Sequence, residues 1–165
     1  MNDEINVNKI IEEYAEMVNK IIYRNLNSKE DCEDLLQEVF VEYVKHIKLG
    51  YKFETEEHEK CWLIRVALNL CSNKIKYNKI RTTMPLKEDI CYNNLDISFE
   101  NNLFTSTNKL ERKYKEVFEL FYYDDLKVSE ISKILKISEA NVKTRLKRAR
   151  DKLKIIMKKG ERING

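Results

Sequence analysis

Apolar residues recur every three to four positions along most of the chain, and that rhythm restricts it to helices. Ile10, Ile11, Tyr14, Val18, Ile21 and Ile22 form one stripe, and Leu35, Leu36, Val39, Phe40, Tyr43, Val44 and Ile47 form a second. Trp62, Leu63, Val66, Ala67, Leu70 and Ile75 mark a third helix, expected to end near Tyr77. The pattern resumes with Leu110, Tyr114, Val117, Phe118, Phe121 and Tyr122. It continues through Ile131, Ile134 and Leu135, then Val142, Leu146, Ala149 and Leu153. Three glycines and one proline in 165 residues supply too few tight turns for a sandwich or barrel. The expected fold class is therefore all-α. Asp31 stands where an N-cap is expected, with Glu33 and Asp34 at the positive end of the helix dipole, and Gly50 stands where that helix should stop.

Between the two helical stretches the rhythm lapses. Residues 78–108 hold Pro85, a run of Asn and scattered apolar side chains, and read as a linker too long for an idle loop within one compact domain. The expected organisation is a helical domain over 1–77, a linker over 78–108, a second helical domain over 109–160 and a tail over 161–165. No run approaches the roughly 18 to 20 apolar residues of a membrane helix. Met1 to Glu4 are polar and acidic, unlike a secretory signal, so a cytoplasmic location with reduced thiols is expected.

Composition also excludes chemistries. Cys32, Cys61, Cys71 and Cys91 are spread singly, and His46 and His58 are the only histidines, so no zinc pattern forms. Neither GxGxxG nor GxxxxGK[ST] is present, and no paired carboxylate, triad or metal set stands out. No metal, cofactor or small-molecule substrate is expected, and the chain does not read as an enzyme.

The net charge of +3 hides an asymmetry: residues 1–60 carry a net −7 and residues 61–165 a net +10. From Lys60 to Lys87 no acidic residue occurs, while Arg65, Lys74, Lys76, Lys79 and Arg81 do. From Lys143 to Arg162 ten basic residues face only Asp151 and Glu161. Ser129 to Leu135 reads as a short helix, Lys136 and Ile137 as a tight turn, and Ser138 as the N-cap of a helix from Glu139 to about Lys158. Short helix, turn, longer helix is the plan of a helix-turn-helix, whose second helix enters the major groove. Val142, Leu146, Ala149 and Leu153 face inward, and Asn141, Lys143, Thr144, Arg145, Lys147 and Arg148 face out. Asn suits adenine and Arg suits guanine, and the remaining cations suit phosphate.

Leu110 to Phe118, Ser129-Glu130-Ile131 and Ile137 to Arg150, with its VKTRLKRAR run, resemble region 4 of bacterial extracytoplasmic-function (ECF) sigma factors. Asp34-Leu35-Leu36-Gln37-Glu38-Val39-Phe40 resembles region 2.2, and Trp62 to Asn69 resembles the WLxRIAxN core of regions 2.3 and 2.4. The toxin-gene sigma factors of clostridia share a similar layout. The resemblance implies two small helical domains that bind core RNA polymerase at its clamp coiled coil and flap and direct it to promoter DNA. Carried over, Asp34, Gln37 and Glu38 would meet polymerase. Phe53, Trp62, Arg65, Asn69, Lys74 and Lys76 would handle the melted minus-10 element. Ser138, Asn141, Lys143, Thr144, Arg145, Lys147 and Arg148 would read the minus-35 element. An anti-sigma antagonist is a further implied partner. Lys127, Ser132 and Lys136 depart from the small residues usual at those positions. Two other readings compete: a stand-alone helix-turn-helix regulator, and a helical adaptor whose basic face is merely solvated.

Overall fold

The computed structural model describes residues 6–81 and 98–164, with side chains placed over 6–81 and 103–160. Every element among the described residues is a helix: α1 (Val7–Asn25), α2 (Lys29–Lys48), α3 (Glu56–Arg81), α4 (Ser98–Asn108), α5 (Arg112–Tyr122), α6 (Val128–Leu135) and α7 (Glu139–Asn164). None is long and apolar enough to cross a membrane. The chain divides into two compact units, α1–α3 and α4–α7. The expected linker over 78–108 is thus shortened at both ends: α3 runs to Arg81, and α4 begins at Ser98. Residues 82–97, with Pro85 and Cys91, lie outside the described residues, as do Met1 to Ile5 and Gly165.

In the first unit the three helices pack against one another, because each carries one apolar stripe that water disfavours. Val18, Ile21 and Ile22 of α1, Leu35 and Val39 of α2, and Leu63, Ile64 and Ala67 of α3 are at most 4% exposed. Burial of each large side chain contributes about 1.5 to 3 kcal/mol. The start of α2 differs from expectation. Ser28, not Asp31, caps it: its hydroxyl accepts from the Asp31 backbone N–H at 3.3 Å. That leaves the Asp31 carboxylate to tie α2 to the far end of α3, with Lys74 Nζ at 3.3 Å and Asn78 Nδ2 at 3.4 Å. The α2 stop falls where expected. Gly50 has φ +91°, in the left-handed region that glycine enters without penalty, and its N–H returns to the Ile47 carbonyl at 2.9 Å.

The next turn brings aromatic rings together between α2 and α3. Tyr43 is 2% exposed, and its hydroxyl donates to Glu59 Oε1 of α3. Burial, the bond to Glu59 and its charge raise the Tyr43 pKa, and burial with Glu13, Glu59 and Glu56 pushes Tyr14 up to about 12, so both phenols stay neutral near pH 7. Phe53 lies 5.9 Å from Tyr43, 5.5 Å from His46, 5.4 Å from His58 and 5.6 Å from Trp62, ring centre to ring centre. His46 stacks on Trp62 at 4.5 Å and on Tyr51 at 4.3 Å. Burial lowers the His46 pKa from 6.5, and the charges of Arg65 and His58 lower it further.

In the second unit α5, α6 and α7 pack together, and α4 lies against α7. Leu110, Tyr114, Phe118, Ala149 and Leu153 form one cluster, joined by Leu103 from α4. Thr107 is fully buried, yet its hydroxyl donates to the Leu103 carbonyl at 2.7 Å, so its burial leaves that donor satisfied. Arg150 Nη1 donates to the Tyr122 hydroxyl at 3.0 Å and braces α7 against α5.

Two outcomes follow for the first unit. Glu59→Ala strands the Tyr43 hydroxyl in the core and is expected to cost about 1 to 3 kcal/mol in urea unfolding. Tyr43→Phe with Glu59→Ala should cost less than Glu59→Ala alone, and equal costs would remove the bond from the account. The unfolded chain binds a proton at His46 near pH 6.5, before the folded chain does. Stability is therefore lost as pH falls through 6.5, and the loss levels off below the folded pKa. His46→Phe keeps a ring in the stack and should lose less between about pH 7.5 and about 5.5 in thermal unfolding; parallel curves would refute this.

Candidate polymerase and nucleic-acid interfaces

The helix-turn-helix is built from local bonds that replace what its sequence lacks. Lys127 has no side-chain acceptor to cap α6, but its backbone N–H donates to Glu130 Oε2 at 2.8 Å, the returning half of a capping box. Lys136 takes the left-handed conformation with φ +55°, which ends α6 in place of a glycine. Ser132 donates its hydroxyl to the Ile137 carbonyl, and the Ile137 N–H returns to the Ser132 carbonyl at 3.2 Å. The small polar residue at 132 thus clamps the turn. Ser138 accepts from the Asn141 N–H at 3.1 Å and caps α7 as expected.

Val142, Leu146, Ala149 and Leu153 are at most 4% exposed, so they anchor one side of α7. Asn141, Lys143, Thr144, Lys147 and Arg148 are exposed on the other side, with Arg145 half-buried beside them. Arg145 Nε donates to Asn141 Oδ1 at 3.1 Å. The bond occupies one lone pair of Asn141 Oδ1 and leaves the amide N–H groups and the remaining guanidinium N–H groups as donors. Both then match an acceptor-rich base edge such as guanine O6 and N7. Thr144 gives its hydroxyl proton to the Ala140 carbonyl at 3.0 Å, which leaves it an acceptor only.

In the first unit Asp34, Gln37 and Glu38 are all exposed on α2. Gln37 also borders an apolar groove of about 640 Å³ between α1 and α2, floored by Ile11, Leu36, Phe40, Val41 and Val44. Val41 is 50% exposed there. The stripe that holds Leu36 and Val44 does not by itself reveal the groove; the apolar Val41, which falls outside that stripe, is the one sequence feature that hints at it.

On α3, Trp62, Arg65, Asn69 and Lys76 fall at intervals of three, four and seven, which places them on one face over about 21 Å. Lys74 is nine residues beyond Arg65, about 180° round the helix. That offset explains why its ammonium pairs with Asp31 rather than joining the stripe, and Lys74 is a brace of the bundle in this geometry. Phe53 and Trp62 are half-buried within the aromatic cluster, with rings on several sides. Tyr51, which the sequence reading passed over, is 57% exposed and stacks on His46 at 6°.

Comparison with known proteins agrees with this architecture. A model for sigma-70 region 2 matches residues 10–80, and one for sigma-70 region 4 matches residues 101–153. The ECF RNA polymerase sigma factor SigM of Bacillus subtilis (strain 168) is 31% identical over 169 residues, covering 91% of this chain and 96% of SigM. SigW of the same organism, also an ECF RNA polymerase sigma factor, is 28% identical over 88% of this chain and 85% of its own. Among solved structures, the sigma factor RpoE of Bartonella quintana, bound to the anti-sigma factor NepR, superposes with a TM-score of 0.70 at 15% identity, covering 92% of this chain and 96% of that one. CnrH, bound to the cytosolic domain of CnrY, gives 0.69 at 16% identity over 95% of this chain and 90% of that one. The order of the motifs, the two helical units and these relatives together place the chain in the ECF RNA polymerase sigma factors.

Proposed function

We infer that the two units divide promoter recognition between them. As an ECF sigma factor the chain is an alternative sigma factor that directs transcription initiation by core RNA polymerase. In the proposed division, α2 holds polymerase, the α3 stripe follows the melted minus-10 strand, and α7 reads the minus-35 duplex. The single observation that carries the reading is α7: one side locked into the core, the other presenting Asn141, Lys143, Arg145, Lys147 and Arg148. A stand-alone regulator uses only that helix and leaves the region 2 match over residues 10–80 without a purpose.

The polymerase contact is proposed to combine two chemistries that meet at Gln37. Asp34 and Glu38 offer carboxylates to basic partner side chains through charge-assisted hydrogen bonds. The groove beside them offers Phe40, Val41 and Val44 to an apolar ridge. The minus-10 contact rests on Arg65 and Lys76 for phosphate and Asn69 for a base edge. The sigma factor contributes no chemical step: bond formation belongs to polymerase, and neither metal nor cofactor is part of this proposal. It works in the cytoplasm, where an anti-sigma partner of the kind seen on RpoE would compete for the same surfaces. Two units on one chain raise each other's effective concentration at the promoter, so the spacing of the two elements becomes part of the selection.

Run-off transcription with purified core enzyme and a library of genomic fragments tests the reading, with promoter-selective transcripts as the expected result. The absence of both selective transcripts and core binding would end it. With a selected promoter, Arg145→Ala should cost about 1 to 3 kcal/mol of minus-35 discrimination and leave core affinity unchanged. Asp34→Ala with Glu38→Ala should do the reverse: core affinity falls by about 1.5 to 3 kcal/mol per lost contact, while duplex binding by the free chain is unaffected.

A further inference from the structure

The solvent-facing seam of α2 repeats every seven residues and changes charge along its length. Asp34, Val41 and Lys48 stand two turns apart, each about 10.5 Å from the next, and Gln37, Glu38 and Lys45 fall on the same face. All six are exposed. Acid lies at the start of the seam, an apolar residue at its centre and base at its end. The apolar groove between α1 and α2 runs beside it, bordered by Gln37, Val41, Lys45 and Lys48. Val41 is 50% exposed there, and Ile11 of α1 is 36% exposed. A contiguous apolar strip with a polar rim marks a surface that a partner covers.

The seam is complementary to itself about Val41. Asp34 precedes Val41 by seven residues and Lys48 follows it by seven, while Gln37 precedes it by four and Lys45 follows it by four. Two copies of α2 laid antiparallel, with a two-fold axis at Val41, therefore set Asp34 of each copy against Lys48 of the other. Gln37 meets Lys45 in the same way, and the two valines meet on the axis. An isologous contact requires one patch that matches itself, and this seam has that property. A parallel pairing would set Asp34 against Asp34 and Lys48 against Lys48, so charge rejects it. Lys45 is available for the exchange, because its bond to Glu42 at 3.1 Å joins side chains that are 64% and 42% exposed, and such surface pairs are weak.

We propose that the free chain pairs with a second copy of itself through antiparallel α2 helices, with the axis at Val41, and that this homodimer hides the polymerase-binding face. The masking rests on the contact of α2 with polymerase proposed above. Asp34, Gln37 and Glu38 cannot serve core enzyme and a second copy at the same time. Core enzyme therefore draws single chains out of the dimer by mass action, and chain in excess of core is held paired.

Sedimentation equilibrium of the full chain tests the proposal, and the sedimenting mass should double as concentration rises from about 1 μM to about 100 μM. Val41→Glu sets two carboxylates on the axis and should weaken the dimer on the order of tenfold or more. Asp34→Lys alone and Lys48→Asp alone should each weaken it, whereas both exchanges on one chain should restore it. The three positions are exposed, and unchanged helicity by circular dichroism excludes misfolding as the cause. Added core enzyme should convert the wild-type dimer into a complex with one sigma chain per core. A mass that stays monomeric at every concentration leaves the groove to polymerase alone and overturns the proposal; promoter-selective transcription by the same preparation then spares the sigma reading. A dimer that survives Val41→Glu, or that the paired exchange does not restore, joins through another surface and also overturns it. Two chains per core would overturn the masking. Absence of core binding, with the exchange pattern intact, would overturn the masking and the polymerase contact of α2 together and leave the antiparallel pair standing.

Discussion

The junction of α2 with α3 governs what the first unit can do. Tyr43 carries a hydroxyl into the packing between α2 and α3, where Glu59 of α3 accepts its hydrogen bond. That bond, together with the buried apolar faces of the two helices, favours one rotation of α3 relative to α2. Once the rotation is set, Trp62 faces His46, and the stripe that starts at Trp62 is turned outward along its length. The opposite side of α3 is fixed by Asp31, which holds Lys74 and Asn78. One polar bond at the head of the helix and one charged tie near its tail therefore decide which cations of the acid-free stretch are available for a partner.

The second unit solves a different problem with local means. A helix-turn-helix needs a sharp stop, a turn and a fresh start within a few residues. Here the stop is a lysine in a left-handed conformation, a position glycine would fill at lower cost. Ser132 bonds across the turn, and Glu130 accepts from the Lys127 backbone N–H.

The two surfaces of the first unit have opposite chemistry, in keeping with two partners. The α2 side is acidic and apolar, with the groove under Gln37. The α3 side is cationic and aromatic. A cationic surface with aromatic rings suits single-stranded nucleic acid.

By itself, the sequence determined most of the helices, their inward faces and the family. The periodic stripes predicted α1, α2, α3, α5, α6 and α7, whereas α4 falls within the stretch expected as linker, and Val142, Leu146, Ala149 and Leu153 are buried as their spacing required. These are local properties: a helix repeats every 3.6 residues, so its apolar face can be counted along the chain. Counting also would have separated Lys74 from Arg65. Other features were decided only when distant segments met. That Ser28 caps α2 frees Asp31 for a partner more than forty residues away. That Phe53 is enclosed and Tyr51 open follows from rings supplied by Tyr43, His46, His58 and Trp62. Exposure belongs to a side chain and its neighbours together, and those neighbours come from the packing of α2 on α3, which no single stretch of sequence contains.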